Sequence, residues 1–382
     1  MIPRFRPSIG FKELLKIFSI NIGAVRKFEK QFAKEFKAVD AVAFPYGRSS
    51  QWAFFNAVGI KNSEIIMPAY TCSVVAHSIS LSGNTPRFID IDLDDFNMNL
   101  DILRNTINKN TKGVIATHTF GYPQDLNQLE DIINDAEKRY GNKIWLMQDC
   151  CHAFGAEHNG KMIGTSGDVA VYAFNISKII HSVFGGMLTF QDQELANKVR
   201  AWRDLNFNKA SILKSIKRRA YLFSTYIAFN KYIYGMTYWI QKNTKLLDLF
   251  TKAYHLDDSI HFPPDYLENM SNFEASVGLV QLKKYPKIIK YRINMANNYS
   301  KNLKNRANWN LPPIIEGATY SHYPVRVPNK EEVMEEYLQK GIQLGEVIEY
   351  SVPDLECYKN IGDECPNSRE ASKTTINFRV TK

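Results

Sequence analysis

The stretch "MQDCCHAFGA", residues 147–156, is followed shortly by "AFNISKII", residues 173–180, and the two together decide the fold. The first sets a carboxylate, Asp149, at the end of the apolar run "KIWLMQD" (143–149). The second sets an amine, Lys178, just beyond the apolar run "DVAVYAFN" (168–175). Short apolar runs bounded by turn signals read as buried strands, and a charge at the end of each calls for an explanation. Working outward, "AVAF" (41–44), "EIIMPA" (64–69), "PRFIDID" (86–92), "GVIATHTFG" (113–121) and "GGMLTFQD" (185–192) also read as strands. Between them, "SSQWAFFNAVGI" (49–60) has helical spacing, and 125–140 places Leu126, Leu129, Ile132, Ile133 and Ala136 on one helical face. Strands alternating with helices predict an α/β fold, a mostly parallel sheet flanked by helices. Such sheets bind ligands beyond the carboxyl ends of their strands, and Asp149, His118 and Lys178 each stand at or just past such an end.

The chain has 382 residues, 45% apolar and 23% charged, which is globular and large enough for two domains. The N-terminus has no long apolar segment followed by a small-residue cleavage site, so no secretory signal is read. Five cysteines, with Cys150 and Cys151 adjacent, are not a disulfide framework and suit a reducing cytoplasm. Cys357 and Cys365 lack histidine company, and no metal site is expected.

Net charge is +9, and residues 209–252 alone hold nine Lys or Arg against one acid, Asp248. The rest of the chain is nearly neutral, which argues against a nucleic-acid partner and for one basic element. That element continues as "AYLFSTYIAFNKYIYGMTYWI" (220–240), with eight aromatics and one charge, Lys231. A second helical region follows from about residue 272, with a break or kink expected at Pro286. The tail beyond 310 mixes short strands with a helix at 330–341. The expected organisation is a large domain over 1–270, carrying a basic and aromatic insert at about 205–262. A connecting helix and a smaller α+β domain would follow over 271–382.

An amine and a carboxylate at neighbouring strand ends fit pyridoxal phosphate. That cofactor needs a lysine for its Schiff base and an acid to keep its pyridine nitrogen protonated. It also needs a phosphate cradle, which free N–H groups at a helix start provide. "YGRSSQWAFF" (46–55) offers Gly47, Arg48, Ser49 and Ser50 at such a start. Each part alone has a plainer reading, as a solvated strand end, a turn residue or a loose glycine motif. Their order on an alternating background is the stronger signal.

These residues, with "EIIMPAYTCSVVAHSI", "ATHTFGYPQDL", "GTSGDVAVYAFNISK" and "MSNFEASVGLVQL", resemble the nucleotide-sugar aminotransferases of the DegT/StrS type. The resemblance covers most of 1–204 and, more weakly, 268–382. It implies an aspartate-aminotransferase-like fold, with Lys178 as the Schiff-base lysine and Asp149 at the pyridine nitrogen. It further implies His152 near the ring oxygen, where the family usually has glutamine, and Gly47, Arg48 and Ser49 around the phosphate. Family members are homodimers in which a partner-chain asparagine touches the phosphate, and Asn269 is the nearest match. Three departures stand out. Cys72 occupies the position of the usual stacking aromatic, which leaves Tyr70 or His118 to stack. Ala173 replaces a phosphate-binding serine, and the region between Arg203 and Met270 is longer than usual.

The expected activity is transfer of an amine from an amino acid, glutamate foremost, to a nucleotide-linked keto-sugar in polysaccharide or deoxysugar synthesis. A sugar dehydratase of the same family would carry histidine at 178. A catalytically degenerate binding protein is the rival from another class, favoured by the changes at 72 and 173. For 209–252 the plainer expectation is an elaborated helical subdomain or a subunit contact, and the sharper one is an element lying on the inner face of the membrane, with Lys214, Lys217, Arg218 and Arg219 toward anionic lipid.

Overall fold

In the computed structural model, residues 1–244, 259–361 and 364–382 are described. The first strands are β1 (Asp40–Phe44), β2 (Glu64–Pro68), β3 (Thr85–Ile89), β4 (Thr111–Thr117) and β5 (Trp145–Asp149). They are followed by β6 (Glu157–His158), β7 (Lys161–Met162), β8 (Val169–Ala173) and β9 (Gly186–Phe190). Seven of these form one sheet, in the order β1-β9-β8-β5-β4-β2-β3. β2, β3, β4, β5 and β8 run parallel. β9 alone runs against them, antiparallel to both β8 and β1. The short β6–β7 hairpin, not expected from the sequence, stands apart.

The strands read as continuous apolar runs because helices cover both faces of the sheet. Side chains alternate between the faces. Val171 and Met147 join Phe54, Phe55 and Val75 from the helices Gly47–Val58 and Ser73–Leu81. Ala170 and Tyr172 join Phe28, Phe32 and Leu282 from the helices Ala24–Glu35 and Asn272–Leu303. The helix Leu126–Tyr140 is set by its ends: Asp125 Oδ1 accepts from the N–H groups of Asn127 and Gln128, and Gly141 takes the left-handed conformation with φ 66°.

The helix Asn272–Leu303 opens with a reciprocal cap, in which Ser271 Oγ accepts from Glu274 N–H and Glu274 Oε2 accepts from Ser271 N–H. It continues through Pro286, so of the expected break or kink the break does not occur. The proline removes one donor, and packing against the helix Ala24–Glu35 and the sheet outweighs that single loss. Beyond it, β10 (Tyr323–Arg326) and β11 (Thr375–Phe378) form a small antiparallel sheet with their own apolar cluster. The first residues of the chain reach this part, where Ile2 bridges Ile342.

The basic and aromatic segment forms two helices, Ile212–Ala228 and Tyr234–Asn243, as the helical-subdomain expectation has it. Among the described residues no helix is long and apolar enough to cross a membrane. Three of the four basic residues expected at a lipid surface turn inward. Lys214 is 4% exposed and donates to the carbonyls of Glu268 and Asn269 at 2.7 and 3.2 Å. Arg218 pairs with Asp265 at 2.6 Å and with the buried Glu274 at 3.1 Å. Arg219 donates to the carbonyls of Lys16, Ile17 and Ser19. Lys245, Asp248 and Lys252 lie outside the described residues.

Candidate active site

The parallel strands bring their carboxyl ends together, and a cavity lies there. Its lining includes Gly47, Arg48, Cys72, Asp149, His152 and Lys178, six of the residues expected at the site. The backbone explains the first two. The helix Gly47–Val58 begins directly after β1, and its first intrahelical bond is Ser50 N–H to Tyr46 O at 3.1 Å. The N–H groups of residues 47 to 49 precede that bond and have no helical acceptor, which suits an anion. The approach is tight: a Cβ on Gly47 would lie 2.9 Å from Ala173 Cβ, and one on Gly186 would lie 2.4 Å from Tyr46 O.

Asp149 ends β5 and is 4% exposed. Burial pushes its carboxyl above the ordinary value, opposed by the Cys151 N–H donated to Oδ1 at 3.0 Å and by the charge of Lys178. Its carbonyl accepts the His118 N–H at 3.1 Å, tying the ends of β4 and β5. Lys178 follows β8 through a turn in which Ser177 N–H and Oγ both donate to Asn175 Oδ1. That turn brings the amine back over the strand end.

His118 does not line the cavity. It is fully buried, and burial pushes its pKa down to about 4. Its Nδ1 accepts the Gln124 N–H at 3.0 Å, so Nε2 carries the proton and donates to Gln148 Oε1 at 3.0 Å. Gln148 in turn donates to Ser166. This network stands behind the strand end and holds it in place. Tyr70 is also fully buried and donates to the Ile348 carbonyl, so neither expected stacking ring borders the cavity.

Two other expected residues lie off the cavity lining. Ser49 is fully buried, and its hydroxyl donates to the Tyr266 carbonyl at 3.1 Å, so only its backbone N–H belongs to the helix start. Asn269 borders a different cavity, beside Ile20, Lys209 and Ile212, and its N–H donates to the Asn208 carbonyl at 2.9 Å. Sequence reasoning missed Gln51, Thr117 and Phe184, which do line the cofactor cavity. Gln51 is one helical turn beyond Gly47, a spacing that could have marked it. Phe184 carried no signal beyond its place after Lys178.

The lining fits pyridoxal phosphate. Lys178 and Asp149 supply the two required charges. Among the described residues, His152 Nδ1 and Thr117 Oγ1 are buried without a protein partner, as groups are that wait for a ligand. The free N–H groups with Arg48 suit a phosphate. His152 stacks on Phe120, with ring centroids 6.0 Å apart and planes at 11°, which fixes its ring beside the cavity.

Known proteins show the same architecture. The sugar aminotransferase CalS13 from Micromonospora echinospora superposes with a TM-score of 0.79 at 19% identity, covering 100% of this chain and 95% of that one. A dTDP-4-dehydro-2,3,6-trideoxy-D-glucose 4-aminotransferase from Saccharopolyspora spinosa is 25% identical over 98% of this chain and 91% of its own. A GDP-perosamine synthase from Escherichia coli O157:H7 is 28% identical over 52% of this chain and 55% of its own. The family model described as the DegT/DnrJ/EryC1/StrS aminotransferase family matches residues 18–382, and the chain belongs to that family.

Proposed function

We propose that the protein transfers an amine from an amino acid, glutamate foremost, to a keto-sugar carried on a nucleotide, in polysaccharide or deoxysugar synthesis. The observation that carries the reading is that Lys178 and the buried Asp149 share one cavity with the free N–H end of the helix Gly47–Val58. The names of the relatives from E. coli and S. spinosa carry GDP and dTDP, which supports a nucleotide-linked sugar.

Pyridoxal phosphate, when bound, supplies the electron sink that makes a carbon-bound proton of the donor removable. Lys178 would hold the cofactor between turnovers, and its freed amine would accept and return the proton as general base and acid, for the donor and for the keto-sugar alike. Asp149 would keep the pyridine nitrogen protonated, since a cation beside a buried carboxylate restores the ionised form that burial disfavours. Arg48 and the N–H groups of residues 47 to 49 hold the phosphate. His152 and Thr117, which line the same cavity, would serve the ring substituents, and Cys72 would stand where the family carries an aromatic.

The reading includes a homodimer in which Asn269 serves the partner subunit's site. Its place on a different cavity from that of its own chain's Lys178 supports this, as does the exposure of Ile20 and Ile212 beside it, 88% and 82%. It also includes contact with the inner face of the membrane, supported by the exposed Lys209, Lys217, Lys231 and Trp239. Co-sedimentation with anionic vesicles at low salt tests that part, and a chain that ignores them removes it.

The central test loads the chain with pyridoxal phosphate, adds glutamate, and then offers a panel of nucleotide-linked keto-sugars. Loss of the visible band with glutamate and an amino-sugar by mass spectrometry are expected. A chain that takes up no cofactor would instead leave the binding-protein reading standing.

A further inference from the structure

The start of the helix Gly47–Val58 is held from outside the sheet. Gly47 and Arg48 line the cofactor cavity, and the residue on each side of them is tied to one short piece of chain. Before them, the Tyr46 hydroxyl donates to Asp265 Oδ1 at 2.6 Å. After them, the Ser49 hydroxyl donates to the Tyr266 carbonyl at 3.1 Å. Asp265 and Tyr266 are consecutive, near the close of the long segment between Arg203 and Met270. The same segment supplies Arg218, whose Nη2 donates to the Tyr46 hydroxyl oxygen and to Asp265 Oδ2, each at 2.6 Å.

Arg218, Tyr46 and Asp265 thus close a triangle of hydrogen bonds. Both bonds of the Tyr46 hydroxyl meet a charged group, and such bonds are the short, strong ones. The guanidinium also lies 4.2 Å from the centre of the Phe184 ring and 5.6 Å from that of Tyr46, and both rings line the cavity. Tyr266 stacks on Phe262 with ring centroids 4.5 Å apart, and each meets Trp52 of the same helix at 5.8 Å. This piece of chain is anchored in turn. The Asn208 N–H donates to the Leu267 carbonyl at 2.8 Å, and the Asn269 N–H to the Asn208 carbonyl at 2.9 Å.

A helix start holds an anion through N–H groups that point the same way. Their aim depends on the backbone of residues 46 to 49, and Gly47, without a Cβ, adds no stiffness of its own. Hydroxyl help from nearby side chains is short, since Ser49 is committed to Tyr266 and residue 173 is alanine. A site already fixed in its bound shape loses less on binding, so holding residues 46 and 49 still strengthens the N–H contacts between them.

We infer that Arg218, Asp265 and Tyr266 clamp the cofactor's phosphate cradle, acting through Tyr46 and Ser49 as positioning residues. The segment between Arg203 and Met270 is thereby part of the cofactor site, although none of these three residues lines the cavity. The inference rests on the pyridoxal-phosphate reading of that cavity.

The experiment strips the full chain of cofactor and titrates it at equilibrium with pyridoxal phosphate and, separately, with pyridoxal, which lacks the phosphate. The visible band reports binding. Wild type should bind the phosphate ester far more tightly. Tyr46→Phe keeps the ring and removes only the hydroxyl. It should weaken pyridoxal phosphate by about tenfold or more and leave pyridoxal within about twofold. Ser49→Ala should act in the same direction. Tyr46→Phe added to Asp265→Ala should weaken binding little further, because the two act as one unit. Lys217→Ala, exposed on the helix that carries Arg218, should change neither ligand. Tyr46→Phe that binds pyridoxal phosphate as tightly as wild type overturns the inference. Equal loss of both ligands, which a merely structural role would give, overturns it as well. A hydroxyl acting on the phosphate directly would keep its full effect in the Asp265→Ala background, and that result also overturns the clamp. A wild type that takes up neither ligand overturns the cofactor reading itself, and the clamp with it.

Discussion

At Asp149 two environments compete, and the cofactor decides between them. Without it, burial holds the carboxyl above its ordinary pKa. A group raised in the fold contributes stability below its unfolded value and loses that contribution as pH rises through the folded value. At neutral pH the empty site is therefore strained by this carboxylate. Asp149→Asn removes the strain but cannot hold a pyridine proton. The cofactor-free variant should melt no lower than wild type at neutral pH, while its single-turnover rate with glutamate falls by on the order of 10²–10³. A variant as fast as wild type would make Asp149 a structural residue. Asp149 and Lys178 were legible in the sequence because each is a charge that ends an apolar run. Thr117 was not, because its neighbour His118 carries the more conspicuous chemistry. Only the structure shows that His118 is committed behind the strand to Gln148 and Gln124, while Thr117 borders the cavity. Ser49 was read for its hydroxyl, which belongs to Tyr266. Side-chain direction at a helix start is not visible in residue order.

At the scale of elements, the strands were legible because helices on both faces leave them uniformly apolar. The antiparallel sense of β9 was not, since direction within a sheet leaves no mark on composition. Of the two expectations for the insert, a helical subdomain or subunit contact and a membrane-surface element, the second needed Lys214, Arg218 and Arg219 outward, and the helix Ile212–Ala228 turns them inward. Charge counts cannot say which acid each base will meet, and here the acids are Asp265 and Glu274, about fifty residues on in the chain. Arg218 is the main tie, and its guanidinium also lies 4.2 Å from the centre of the Phe184 ring, which borders the cofactor cavity. Removing it leaves the buried Glu274 without its ion-pair partner. Arg218→Ala should cost about 3–5 kcal/mol of stability, read by denaturant titration. Lys217→Ala, exposed on the same helix, should change stability by less than about 0.5 kcal/mol. Equal effects from the two would mean that the insert is not tied down through Arg218.

For the whole molecule, buried histidines set the response to acid. Burial lowers the pKa of His118 to about 4 and of His181 to about 3, and it depresses His152 and His322 as well. In the unfolded chain these rings take protons near pH 6.5. From there downward the unfolded state binds more protons, so the stability they contribute is complete above about pH 6.5 and is lost as pH falls through the folded values. The melting temperature should drop by roughly 5 °C or more between about pH 6.5 and 4.5. His118→Gln should flatten part of that slope, and an unchanged slope would remove His118 from the account. The central claim concerns the cavity where the sheet delivers Lys178 to Asp149. It is tested most directly by the single-turnover reaction of the cofactor-loaded chain with glutamate, wild type beside Lys178→Ala, followed in the visible spectrum. Wild type should convert. Lys178→Ala should fold with an unchanged melting temperature and show no conversion, and conversion retained in that variant would contradict the assignment of Lys178.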